Sequence, residues 1–562
     1  MSPLRRLMRL LRPERRDIGL VIAFAIGVGV LTLATPVAVQ ALVNIVSFGG
    51  MTQPLIVLAI LLLGFLTLAG ALRAFKAYLV ELLQRRLFVR VVTDLGQRLP
   101  RVHVASFDRD HGPELVNRFF DVLTVQKVGA TLLLDGVAVV LQAAIGLLIL
   151  AFYHPFLLAF DVVLLVGILL VLFALGRGAV RTAVVESKAK YAVAASLEEI
   201  ARHPLSFKQA GGPELAQQRA DGLAVAYVEA RERHYRVVFR QIIGSLALQA
   251  LAATALLTLG GWLVINGQLT LGQLVAAELI VSIVLASFAK LGQKLESFYD
   301  LLAAVDKLGQ LLDLPLERAA GEPHAGGAGG AAVRFRGLGF GYAGKPPVFR
   351  DFDLVVHAGE RVQIVGGHGS GKSTLTDLLC GLRAPTVGHL ELDGVDLREM
   401  SLTSLRRQVA VVRGIELIDG SIADNVQMGR PDVGLAEVRA ALASAGLLEE
   451  VLMLPDGLAT VLNASGAPLS TGEARRLMLA RALAGNPRLL VLDDFLDDLD
   501  SDARQRVLPE LVRPDRGWTL IVTSRHDQAF DAMHQIIRLS GSGAPRRTVR
   551  TGLPEMREVV LR

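Results

Sequence analysis

The sequence predicts an all-α membrane domain followed by a soluble α/β domain, and three observations carry that reading. Hydrophobic residues make up 52% of the 562-residue chain and the mean hydropathy is +0.47, both high for a protein that lives wholly in water. The apolar residues lie mostly in the first half, where no Asp, Glu, Lys or Arg interrupts Ile18 to Leu72. Beyond Val333 the pattern changes, and Val362 to Leu382 reads as a strand, a glycine-rich turn and a helix. The boundaries are therefore expected at 1–315 for the membrane domain, 316–332 for a linker and 333–562 for the soluble domain.

Six stretches approach the roughly 20 apolar residues that a lipid-spanning helix requires. They are approximately Ile18–Phe48, Leu55–Tyr78, Val128–Tyr153, Phe156–Leu175, Ile242–Ile265 and Leu271–Phe288. The connections GGMTQP, HP and NGQLT contain no Lys or Arg. The other side carries Arg5, Arg6, Arg9, Arg12, Arg15 and Arg16, then Arg85, Arg86 and Arg90, then Arg177, Arg181, Lys188 and Lys190. Positive charge stays on the cytoplasmic side, so both termini are expected there. The first span is too long for a secretory signal and has no small-residue cleavage site, so it reads as a retained anchor.

Two long excursions, Leu79 to Lys127 and Gly176 to Gln241, show helical spacing and are expected to carry membrane helices well into the cytoplasm. Their turning points, DRDHGPELVNRF and LEEIARHPLSFKQAGGPE, are candidates for touching a soluble domain. Asp161 and Glu278 lie inside spans, where an ionisable group is expensive and marks a substrate or ion contact. The plainer reading is that both sit near the outer ends and reach headgroup water.

The net charge of +6 comes with basic residues placed as membrane flanks, so membrane lipid rather than nucleic acid is the expected partner. The single cysteine, Cys380, excludes an intrachain disulfide and a thiolate metal cluster. Leu316 to Ala332 is rich in Gly and Ala without hydrophobic period, and reads as a flexible linker.

In the soluble half, Gly366-Gly367-His368-Gly369-Ser370-Gly371-Lys372-Ser373, followed by Thr374, fits G-x-x-x-x-G-K-S between a strand and a helix. Glycines let successive backbone N–H groups face phosphate oxygens, Lys372 brings a charge to the β/γ-phosphates, and Ser373 is placed to ligate Mg²⁺. The helix amino terminus adds its field. Such a site takes ATP and Mg²⁺. Further on, LLVLDDFLDDLD, Leu489 to Asp500, is an apolar strand ending in five aspartates. Asp493 is expected beside the metal and Asp494 beside an attacking water. A solvated loop explains Asp497, Asp498 and Asp500.

LSTGEARRLMLARALAGNP, Leu469 to Pro487, resembles the signature sequence of ATP-binding cassette proteins. With Tyr342, the glycine-rich loop, the acidic strand and TLIVTSRH, the whole order is similar to an ABC exporter half-transporter, six spans fused ahead of one cassette. GGWLVINGQLTLGQLVAAELI looks most like the peptide and protein exporters of bacterial type I secretion. Little chain stands before the first span, so no peptidase domain is expected ahead of it.

The resemblance implies ATP sandwiched between two cassettes facing head to tail. Tyr342 stacks on adenine, Gly366 to Thr374 cradle the phosphates, and Asp493 sits beside Mg²⁺. Leu469, Ser470, Thr471, Gly472 and Glu473 form the signature that meets the γ-phosphate of the partner's ATP. It also implies a bacterial inner membrane, a second half-transporter subunit and, for a protein substrate, an adaptor spanning the periplasm. The substrate class is a peptide or protein, with a lipid or amphipathic compound as the alternative.

Four departures from the family cluster on its hydrolytic groups. The usual glutamate is Asp494, one methylene shorter, and roughly 1 Å of misplacement can cost about 10²-fold in rate. No Gln lies within Val411 to Ile422, where the metal-sensing loop is expected. The switch histidine position is taken as Ser524, with His526 two residues later as the nearest imidazole, and one lost donor of this kind can cost about 10²–10³-fold. The acid expected near Ala464 is missing. Two readings remain: a slow working homodimer, with Asp494 as a weak base and His526 or Glu416 standing in, or the hydrolysis-impaired half of a heterodimer.

Overall fold

A computed structural model describes residues 2–47, 52–108, 112–463, 466–526, 532–539, 546–551 and 555–560. The chain divides into two compact units, Met1–Val102 with Ser106–Pro315, and His103–Ala105 with Leu316–Arg562.

The first unit is helical. Among the described residues, five helices are long and apolar enough to cross a membrane, and a shorter apolar stretch, Leu271–Val284, forms part of the continuous helix Leu271–Leu312. The first expected span is two helices, Arg15–Thr32 and Ala34–Ser47. Helices Thr52–Arg98 and Gly212–Ile265 have 47 and 54 residues. At 1.5 Å per residue they extend roughly 70 and 80 Å, more than twice the hydrocarbon thickness of about 30 Å. One limb of each excursion is thus a continuation of a span, as the spacing predicts, whereas helix Ala179–Arg202 is separated from the span before it by a turn at residues 175–178.

The arginine-rich arm is held by specific partners. Helix Pro3–Leu11 buries Leu7 against Leu301, Leu302 and Val305. Arg6 bridges Asp306 at 2.6 Å and Asp313 at 2.9 Å, and Arg90 reaches Glu14 at 3.2 Å. Asp161 differs from expectation. It shares the inward face of helix Pro155–Leu169 with Leu157 and Leu164, is 5% exposed, and has no hydrogen-bond partner for either oxygen among the described residues. It points into the helix packing and not toward headgroup water, because residues at i−4 and i+3 from it pack in the same core. Glu278 is half-buried, with Oε2 unpartnered among the described residues.

The second unit is an α/β domain with two main sheets. A four-stranded sheet has the order Pro347–Val356, Val333–Gly341, Val387–Leu392, Val395–Asp396. A seven-stranded sheet, counted over the described residues, has the order Glu555–Val560, Arg546–Thr551, Gln535–Arg538, Arg361–Val365, Thr519–Ser524, Leu489–Asp493, Val409–Val412. Its last five strands are parallel and their cores are runs of Val, Ile and Leu, as strands covered on both faces require. Leu490, Leu492, Leu520 and Val522 face one core; Leu489, Val491, Ile521 and Ile364 face the other.

The stretch expected to be a flexible linker is pinned to this unit. Ser404 Oγ and Gln408 Nε2 donate to the His324 carbonyl at 2.8 and 2.7 Å. Arg488 donates to the carbonyls of Gly329 and Gly330 at 2.9 and 3.1 Å, and Ala331 is fully buried. Composition suggested mobility; side chains remote in sequence supply the hydrogen bonds that remove it.

Candidate functional site

Four parallel strands finish at one edge, and each is followed at once by a residue of interest. The pairings Ser524↔Val365, Thr523↔Asp493 and Val412↔Leu492 align their ends. Gly366, Arg525, Asp494 and Arg413 therefore emerge side by side, at the carboxyl edge where ligands of open α/β sheets bind.

The glycine-rich loop follows its strand and feeds helix Lys372–Leu379. Gly369 and Gly371 have φ of +76° and +98°, which a side chain would strain, and a Cβ on Gly366 would lie 2.4 Å from Ser370 Oγ. Gly367, His368, Gly369 and Ser373 are exposed, while Ser370, Lys372 and Thr374 are buried. Lys372 Nζ donates to the Gly366 and Gly367 carbonyls at 2.5 and 3.2 Å and lies 3.9 Å from Asp494 Oδ1. The ammonium is thus held inside its own loop, with a short reach to the acidic strand.

Tyr342 donates to or accepts from Thr374 Oγ1 at 3.0 Å, and the Arg383 guanidinium lies 4.8 Å from its ring centroid. An adenine stacked on Tyr342 takes the opposite face or displaces Arg383.

The acidic end is occupied by arginine. Arg413 donates through Nε to Asp493 Oδ2 at 2.5 Å, through Nη1 to Asp377 Oδ1 at 2.8 Å, and through Nη2 to the Ser373 carbonyl at 2.8 Å. Asp493 Oδ1 receives the Thr523 hydroxyl at 2.8 Å. Asp494, at a left-handed φ of 52°, is held by its backbone N–H to Thr523 Oγ1 at 2.8 Å. Its Oδ2 is 3.8 Å from Arg525 Nε, and Arg525 also pairs with Asp498.

Several expected roles therefore look different in place. Ser524 turns its hydroxyl to Asp497 at 2.9 Å, and Asp494 is met from this strand end by the Thr523 hydroxyl, which donates to its Oδ1 at 3.1 Å, and by Arg525 at 3.8 Å. His526 is exposed and engages Ser524 through its backbone N–H and carbonyl, while Glu416 is exposed, its carbonyl accepting from Arg481 at 2.7 Å. Ala464 lies outside the described residues. The residue in the stretch without glutamine that touches the site is Arg413. Arg413, Arg525, Thr523 and Asp377 were not singled out by sequence; counting one residue past each apolar strand would have found the first two.

The signature helix, Thr471–Leu483, starts at Ser470 in a capping box: Ser470 Oγ accepts from the Glu473 N–H at 3.3 Å, and Glu473 Oε2 accepts from the Ser470 N–H at 2.7 Å. Leu469 and Gly472 are half-buried and Ser470 and Thr471 exposed. Its Leu477 and Leu479 pack with Leu490 and Leu492, whereas Leu375 and Leu378 of the loop helix pack with Leu489 and Val491. Side chains alternate along a strand, so the two helices cover opposite faces of the sheet.

Mg²⁺ needs near-octahedral oxygens at about 2.0–2.1 Å, usually with one or two carboxylates. Both Asp493 oxygens already accept protein hydrogen bonds, and one partner is a permanent cation. A dication about 4 Å from a guanidinium meets roughly 8 kcal/mol of repulsion at an effective dielectric near 20, twice the unit-charge value. In this arrangement the residues do not fit the ion unless Arg413 leaves.

Comparison with known proteins agrees with this architecture. Residues 18–201 match the ABC transporter transmembrane region and residues 349–496 match the ABC transporter domain, together more than half the chain. The exotoxin translocation ATP-binding protein PaxB of Pasteurella aerogenes is 33% identical over 310 residues, which are 54% of this chain and 43% of that protein. The α-hemolysin translocation ATP-binding protein HlyB of Escherichia coli is 33% identical over 296 residues, 51% of this chain and 41% of that one. The chain thus spans less than half the length of these relatives. The mycobactin import ATP-binding/permease protein IrtB of Mycolicibacterium smegmatis is 28% identical over 80% of this chain and 78% of its own. In fold, a bacterial Atm1-family ABC exporter solved with ATP bound superposes with a TM-score of 0.82 at 22% identity, covering 94% of each chain. The chain belongs to the ABC transporter family, as a multi-pass membrane protein with one transmembrane region ahead of one ATP-binding cassette, the arrangement of a half-transporter.

Proposed function

We propose that this chain is one half of a dimeric exporter in a bacterial inner membrane, and that its own cassette site binds ATP but hydrolyses it slowly or not at all. The observation that carries this reading is the pairing of Asp493 with Arg413 and of Asp494 with Arg525, beside an intact phosphate loop. A general base must contact the water at the γ-phosphate. A carboxylate whose oxygens already face other partners has its lone pairs drawn away from that water.

The signature, built on a capped helix on the other face of the sheet from the loop, is then the part offered to a second subunit. Ser470 and Gly472 complete the partner's ATP site, and a competent partner supplies the turnover. Relatives named for toxin translocation favour a peptide or protein as substrate, with an amphipathic compound as the alternative; an adaptor across the periplasm would accompany a protein substrate. Mg²⁺, where it enters, belongs to the partner's site.

The test is binding and turnover on one preparation. The solubilised full chain alone should bind ATP stoichiometrically and release phosphate near background. Turnover of about 1 s⁻¹ or faster, the low end of ordinary enzyme rates, would instead favour the self-sufficient homodimer. That second reading has one contact on its side, the 3.9 Å from Lys372 Nζ to Asp494, which keeps the carboxylate near the phosphates.

Both termini are placed in the cytoplasm on the charge asymmetry of the loops. Gln268→Cys should react with an impermeant maleimide in spheroplasts and Ala325→Cys should not; the reverse pattern defeats the orientation. Cys380 does not interfere, since burial pushes its thiol up to about 12.

A further inference from the structure

Resting on the reading of the cassette as an ATP site, we propose that Arg413 is that site's cation: its guanidinium stands in for the divalent ion, and ATP binds as the metal-free anion. The position follows from register. Val412 pairs with Leu492, so the next residue emerges beside Asp493. There Arg413 is surrounded by oxygens from three places, the Asp493 carboxylate, the Asp377 carboxylate and the Ser373 carbonyl. Oxygen ligands converging from a strand end and the first turns of a phosphate-loop helix are what a hard cation takes. Here the space among them is filled by a group that carries a permanent charge and cannot share it with a metal.

Two further features separate this from a structural staple. A guanidinium has five N–H donors. Among the described residues three are engaged, which leaves two for a phosphate, and the side chain remains 38% exposed. Its planar fork suits phosphate oxygens as well as carboxylates. Arg525, at the end of the strand Thr519–Ser524, adds a second charge 3.8 Å from Asp494. The two guanidinia together carry the charge of one dication, spread across the acidic end and facing Lys372 in the loop.

The experiment is equilibrium binding of radiolabelled ATP to the detergent-solubilised full chain, with excess EDTA and with excess Mg²⁺. The native chain should bind with the same affinity, within about threefold, in both. Arg413→Gln should lose about tenfold or more in EDTA, the scale of one charge-assisted contact, and recover with Mg²⁺, because Asp493 is then free. A native chain that loses tenfold or more on chelation overturns the proposal. So does an Arg413→Gln variant that matches the native chain in EDTA. Absence of binding in both conditions defeats the ATP-site reading itself, and the proposal with it. If Arg413→Gln does not fold, the native comparison still decides.

Discussion

The loop end and the acidic end of the candidate nucleotide site follow different rules. At the loop end every residue that phosphate binding requires is present and locally justified: Gly369 and Gly371 take left-handed φ, Gly366 admits Ser370, and Lys372 is buried with its Nζ inside the loop. At the acidic end the carboxylates are present but engaged. Arg413 holds Asp493 from the stretch where the family resemblance expected a glutamine, and Arg525, the residue after Ser524, stands 3.8 Å from Asp494. On the proposed reading, the difference teaches that binding and hydrolysis are separable in this fold, because they draw on different strand ends of one sheet. One can be kept by backbone geometry while the other is altered by two side chains.

The largest effect should come from rebuilding the acidic end. A triple variant, Asp494→Glu with Arg413→Gln and Arg525→His, removes both guanidinia and puts an imidazole donor one residue past the switch position, beside Asp494. Mg²⁺-dependent phosphate release should rise by about 10²–10³-fold, the value of such a donor. If the triple variant binds ATP and stays at background, the arginines are not what separates the two ends.

Next in size is Lys372→Ala. It removes the loop's charge, and with it the 3.9 Å contact to Asp494, and ATP affinity measured by equilibrium binding should fall about tenfold or more. Unchanged affinity would mean that the loop end is not the binding end.

The smallest effect is expected from Asp494→Glu alone. The sequence by itself suggests that reach is the defect, which the added methylene would cure. With Arg525 beside the carboxylate, the longer side chain should be recaptured, and steady-state phosphate release should change by less than about twofold. A gain of tenfold or more would return the defect to reach.

Much of this was legible in the chain. The spans follow from apolar length, the extensions from helical spacing, and the phosphate loop from eight residues between a strand and a helix. The acidic end was legible only as absences, a glutamine and a histidine not found. What replaced them depends on where four strands stop and how they register, and that is a long-range property: Val412 meets Leu492 across 80 positions. Arg525 was missed for the same reason, since Ser524 still belongs to its strand and Arg525 is the first residue beyond it. Asp161 read as a residue near water because span position says nothing about which helix face is covered. The Gly- and Ala-rich stretch read as mobile because Ser404, Gln408 and Arg488, which hold it, lie far along the chain.

The most direct test of the central claim is the chemical identity of the nucleotide that the solubilised chain holds. The full chain is loaded with [α-³²P]ATP in Mg²⁺, separated from free nucleotide, incubated for minutes, quenched and resolved by thin-layer chromatography. The account predicts that the bound label remains ATP throughout, while the triple variant converts it to ADP. Bound label that passes to ADP within seconds on the native chain would show a working hydrolytic site and contradict it.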